Sequence, residues 1–228
     1  VVKGAVWFRV DLSVAQGSSP SWVFDWGYPA VERVDLYLVR DGAVVQHATF
    51  GHDVPVQNRV LPSRTHSHPL RFEPGVNYQL YLRGMLRGSV IAPMSLSKPA
   101  AYYRQVSWTQ SLQGLFFGFT FALLLYTLIQ LASQRKLQYL GYALVVAGCG
   151  LFFAVFHGLG PGFVAPDNRW FWRHAGGISA FVAIIGSSLF FERMLGEGAG
   201  LWFTRLLRGC MAASALFMLL YAVGVLSN

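Results

Sequence analysis

The stretch RTHSH sets His66 and His68 at alternate positions, so on a β-strand both imidazoles would leave one face about 7 Å apart. Two histidines in that relation can share a metal ion when a third donor folds nearby. His52 and Asp53 lie in an earlier loop, and the sequence names no third ligand. A second constellation is aromatic. Trp22, Trp26, Tyr28 and Tyr37 offer flat faces for stacking on a sugar ring, with Asp25 or Arg33 as hydrogen-bonding neighbours. Trp22, Phe24 and Trp26 also recur at every second position, and such a stripe favours sheet core. Gly114 and Gly118, four residues apart in GLFFG, would let two helices approach closely, within the chain's own bundle or in a homodimer. Gly176, Gly177, Ser179, Ala183 and Ser187 suggest the same role further on. Catalytic signatures do not occur: there is no P-loop, no G-x-S-x-G elbow, no H-E-x-x-H and no paired-cysteine metal motif. The chain reads as non-enzymatic, with no cofactor implied.

The elements that must position these residues fall into two regions. Residues 1–104 carry eleven Lys and Arg against seven Asp and Glu; residues 105–228 carry seven against three over a longer, far more apolar stretch. No more than two cations stand together, so the net charge of +8 points to loops at a membrane surface and not to nucleic acid. In the first region AVWFRVDL alternates Val6, Phe8, Val10 and Leu12 with Trp7, Arg9 and Asp11, the pattern of a half-buried strand. VERVDLYLVRDGAVVQHATF reads as two strands joined at Asp41-Gly42, a dipeptide suited to the positive φ angles of a tight hairpin turn. EPGVNYQLYLR opens on a Pro-Gly turn and alternates Val76, Tyr78, Leu80 and Leu82. Seven or eight such strands over residues 1–98 predict an antiparallel sandwich of jelly-roll type. No cysteine lies in it, so its core alone must hold it.

Residues 99–107 then read as a short linker, followed by a membrane region over 108–228. No charge occurs between Arg104 and Arg135, and residues 112–132 would rise about 32 Å as a helix, close to the thickness of a bilayer's hydrocarbon core. Further spans are expected over 139–157, 175–191 and 206–226. Cations favour the cytoplasmic side. Arg135 and Lys136 follow the first span, and Arg193, Arg205 and Arg208 follow or open the third and fourth, whereas the intervening loop has Arg169 and Arg173 beside Asp167. The first span therefore runs inward, and residues 1–98 lie outside the cytoplasm of a bacterial inner membrane, on a multi-pass protein in contact with lipid. His157 and His174 flank that outer loop as interface residues, and Cys149 and Cys210 fall inside spans. No charged residue sits mid-span, which argues against an ion-coupled transporter.

The succession WFRVDL, VERVDLYLVRDG, GHDVPVQNR and the PG-led strand ending YLR resembles the type-2 extracellular domain of bacterial seven-transmembrane receptors with diverse intracellular signalling modules. GLFFGFTFALLLYTLIQLASQRKLQYLGYAL resembles the start of that family's membrane domain. The resemblance implies a carbohydrate-binding-like jelly roll outside, seven helices, and a cytoplasmic histidine kinase, cyclase or related output module. With four spans and no output module, the chain is expected to be the sensory part of such a receptor, truncated from seven helices. A membrane-anchored carbohydrate-binding or assembly protein without a signalling role is the alternative, and a metal-sensing outer domain a third reading.

Overall fold

The computed structural model describes residues 4–29, 31–51, 54, 60–61, 64–86, 91–159, 168–195, 198 and 200–224. His52, Asp53 and Asp167 lie outside the described residues. The chain divides into two units, Val1–Thr109 and Gln110–Asn228.

The first unit is built from seven strands among the described residues: β1 (Gly4–Ser13), β2 (Ser21–Trp26), β3 (Arg33–Arg40), β4 (Ala43–Phe50), β5 (His66–Arg71), β6 (Asn77–Leu86) and β7 (Met94–Ser97). They form two antiparallel sheets, ordered β1-β6-β3-β4 and β5-β2-β7. The chain crosses between sheets after β1, β2, β4, β5 and β6, which is the alternation of a jelly roll. Each sheet turns one face inward. Leu36 and Leu38 of β3, Ala48 and Phe50 of β4, and Tyr78, Leu80 and Leu82 of β6 meet Phe24 and Trp26 of β2 and Leu70 of β5 in one core. The inward residues are the ones the period-two pattern selects, because successive strand side chains point to opposite faces. Asp41 and Gly42 form the β3–β4 turn with φ of 49° and 79°, as the dipeptide predicts.

Helix α1 begins at Pro99 and runs unbroken to Gln134. The expected linker over 99–107 is therefore helical. Pro99 occupies a first-turn position where its fixed φ suits a helix and its missing N–H is not needed. The Tyr102 amide then donates to the Lys98 carbonyl in the first helical bond.

The second unit holds the rest of α1 with α2 (Leu137–Phe156), α3 (Arg169–Leu195) and α4 (Leu201–Ala222). Among the described residues four helices are long and apolar enough to cross a membrane, the third over His174–Leu195. Helix α3 exceeds its expected span at both ends, where polar residues continue the helix, whereas α4 begins five residues before its expected span and is described as helix only to Ala222.

Small residues bring α2 and α3 into backbone contact. A Cβ on Gly141 would stand 2.6 Å from the Phe190 nitrogen, one on Gly186 2.7 Å from the Gly141 carbonyl oxygen, and one on Gly148 2.8 Å from Ser179 O. Ser179 and Ala183, read from sequence as packing residues, lie at this seam, and Gly177 abuts the Tyr221 ring of α4. Gly114 and Gly118 do not take part: among the described residues nothing lies within 4 Å of where their Cβ atoms would be. Among the described residues α1 and α2 meet at Thr120 against Gly150, beside the Phe116 and Phe153 rings 5.3 Å apart.

Candidate functional site

The aromatic residues singled out from sequence separate into two environments. Trp26 is fully buried and Phe24 nearly so, while Trp22 and Tyr28 pack partly buried against the same core. The Trp22 indole N–H donates to the Ser19 carbonyl at 2.9 Å. Trp26 is thus withdrawn from any stacking role by the inward side of β2. Tyr37 is placed differently. It lies between the inward residues Leu36 and Leu38 and so emerges on the outer face of the four-stranded sheet.

That face gathers residues distant in sequence. Register sets Trp7 beside Arg83 and Arg83 beside Asp35; two residues along, Arg9, Tyr81, Tyr37 and His47 form the next row. The Trp7 and Tyr37 rings lie 6.2 Å apart at 23°, and Tyr37 and His47 4.6 Å apart at 21°, so three rings form a nearly parallel series. Trp7 is 58% exposed, so its ring is open to solvent on this face. The Arg83 guanidinium stands 6.0 Å from the Trp7 ring and that of Arg9 5.8 Å from Tyr81, both within cation–π range. Hydrogen bonding to Asp11, and then its charge, hold Arg9 above its ordinary pKa.

Asp35, on the same face in the row of Trp7 and Arg83, is buried. Its Oδ1 accepts from Arg33 Nε at 3.0 Å and Thr49 Oγ1 at 2.9 Å, and Arg83 Nη1 is 3.6 Å from Oδ2. One buried carboxylate therefore orients two guanidiniums on the face. At the other end the rows open into a cavity of about 420 Å³ lined by Asp11, Ser13, Asp41, Asn77 and Gln79 among others. An aromatic series flanked by fixed guanidiniums and ending in carboxylate and amide oxygens can stack on an apolar ring face and hydrogen-bond the hydroxyls at its rim.

The histidine pair lies on β5. His66 is buried, its ring lies parallel to Phe50 at 6.3 Å, and its Nε2–H donates to the Pro29 carbonyl at 3.0 Å. His68 Nε2 faces the Gln46 amide at 3.4 Å, and burial lowers its pKa. Among the described residues no three His, Cys, Asp or Glu side chains are grouped to hold a metal ion. His157 and His174 each donate Nδ1–H to the carbonyl four residues earlier, Phe153 and Trp170.

Comparison with known families decides the affiliation. The 7TM diverse intracellular signalling family profile matches residues 109–228, and that of 7TMR-DISM extracellular 2 matches residues 2–98. The chain belongs to the 7TM diverse intracellular signalling family. It is a membrane protein with an extracellular N-terminal domain and a sensory transmembrane region. No curated protein matches it significantly.

Within this family member, sequence reading found one of the rings on the outer face, Tyr37. It missed Trp7, His47 and Tyr81. Their outward parity was available in the alternation of β1, β4 and β6, but the lateral order that makes them neighbours was not.

Proposed function

We propose that this chain is the sensing and membrane-relay part of a bacterial inner-membrane receptor, and that its extracellular sandwich binds a saccharide on the outer face of the four-stranded sheet. The observation that carries this reading is the outer-face series of exposed Trp7, half-buried Tyr37 and exposed His47, edged by Arg9 and Arg83 and ending in the polar cavity at Asp11 and Gln79. Five strand positions, from Asp35 to Val39, carry the face past its three rows over about 13 Å, room for more than one sugar ring. Occupancy would reach an intracellular module through the helices by favouring one of two packings of the bundle, which requires that the saccharide bind those packings unequally.

The test is a glycan array of neutral and acidic oligosaccharides probed with the full chain in detergent, followed by titration of any hit. Trp7→Ala and Tyr37→Ala should each weaken binding about tenfold or more, a stacked ring being worth roughly 1–3 kcal/mol. Trp22→Phe should leave it unchanged. Absence of binding across the array, or binding insensitive to Trp7 and Tyr37, would remove the saccharide reading.

A further inference from the structure

Tyr102 stands in the first turn of α1, and its side chain is 5% exposed although Ala101, Tyr103 and Arg104 around it are exposed. Its phenol oxygen is 2.7 Å from Ser67 Oγ on β5. Ser67 Oγ in turn donates to Asp25 Oδ1 on β2 at 2.7 Å, and Thr65 Oγ1 donates to the same oxygen at 2.6 Å. A hydroxyl carries one proton, and that of Ser67 goes to the carboxylate, so Tyr102 is the donor to Ser67. The bonds thus run in one direction, from the helix into the smaller sheet.

The smaller sheet is ordered β5-β2-β7, and β7 ends at Ser97, two residues before the helix begins. The start of α1 is therefore held by chain connectivity at one edge of this sheet and by Tyr102 at the other. One attachment would leave the helix free to roll about its axis; two fix its rotation. A buried polar contact suits that purpose better than an apolar one, because it is satisfied in one geometry only.

Strand alternation also places the contact next to the core. Asp25 lies between Phe24 and Trp26, and Ser67 follows His66. Phe24 and His66 meet the Phe50 ring of β4 at 6.0 and 6.3 Å, and Trp26 meets Phe8 of β1 at 6.0 Å. The same two strands, β4 and β1, bear His47 and Trp7 on their outer side.

We propose that Tyr102, through Ser67 and Asp25, is a latch by which the sandwich sets the rotation of the outer turns of α1. Its purpose rests on the sensory reading; the contact itself is tested without ligand. Hydrogen exchange of the full chain in lipid nanodiscs reads the amides of Tyr103 to Trp108. Tyr102→Phe raises their exchange about tenfold, the effect of losing one buried hydrogen bond to a polar partner, while β6 amides keep their protection. Asp25→Asn keeps an acceptor oxygen and stays near the native rate. Ser67→Ala removes the acceptor with a minimal change in volume and gives the same rise, which serves where Tyr102→Phe also disturbs β6. Native exchange in both Tyr102→Phe and Ser67→Ala overturns the latch. A latch confirmed in a chain that binds no saccharide would sink the binding reading alone, and an absent latch in a chain that binds would sink this proposal alone.

Discussion

At the scale of single residues, His66 and His68 of β5 are side chains held by neighbours, His66 at the Pro29 carbonyl and His68 opposite Gln46. His68 is the one whose environment makes a measurable demand. Its Nε2 sits opposite a Gln46 amide nitrogen that also donates to the Pro69 carbonyl, so the imidazole must accept there, and burial disfavours its charged form. Its folded pKa is lowered while an unfolded histidine titrates near 6.5. The unfolded chain therefore binds the proton first as pH falls. The contribution of His68 is fully present above about pH 6.5 and is lost as pH falls through the folded value. Thermal unfolding of the full chain between pH 7.5 and 5 should show stability declining toward acid. His68→Leu, which cannot titrate, should flatten part of that decline. An identical pH profile in the variant would refute the assignment.

At the scale of elements, glycine has two meanings in the helices, and only the structure separates them. Gly148 of α2 carries the Ser179 carbonyl and the Ala183 amide against its Cα, backbone that cannot move aside. Gly118 of α1 has open space around it among the described residues. Gly148→Val should destabilise the helix region by about 1–3 kcal/mol through overpacking, lowering the midpoint of thermal unfolding in detergent. Gly118→Val should leave that midpoint within a degree or two. Equal effects would mean that the α2–α3 seam is not what holds these helices. Sequence alone marks Gly114 and Gly118 because their spacing is local, whereas the contact of Gly141 and Gly148 with α3 depends on which faces of two helices meet. The same division runs through the sandwich. Strand positions, their inward faces and the Asp41-Gly42 turn are local properties and legible as such. The ring series of Trp7, Tyr37 and His47 is not, because it exists only once β1, β6, β3 and β4 lie in that order. Tyr102 is hidden for another reason: in KPAAYYR its helical start shows only in Pro99, and its partners lie 35 and more residues upstream.

At the scale of the whole molecule, the sandwich, the spans and the loop charges must agree on one orientation. Helix α1 has 36 residues and so rises about 54 Å, well beyond a hydrocarbon core of roughly 30 Å. Its charge-free part begins after Arg104 and ends at Arg135 and Lys136, so the surplus length lies at the N-terminal end, continuous with the extracellular domain. The paired cations are then predicted to mark the inner surface. The same rule predicts the turn between α3 and α4, with Arg193, Arg205 and Arg208, on that side; there Arg208 joins Glu192 across the two helices at 2.9 Å. In a chain with Cys149 and Cys210 replaced by alanine, single cysteines report this arrangement directly. Ala15→Cys, in the sandwich, should react with a membrane-impermeant maleimide added to intact spheroplasts. Lys136→Cys and Arg193→Cys should react only after the membrane is permeabilised. Labelling of Lys136→Cys from outside would reverse the first span. Opposite behaviour of the 136 and 193 positions would break the even number of crossings between them, and with it the multi-pass order of α1 to α4. Agreement of all three leaves one orientation, with the sandwich outside and the α1–α2 and α3–α4 turns inside, as the relay proposed above requires.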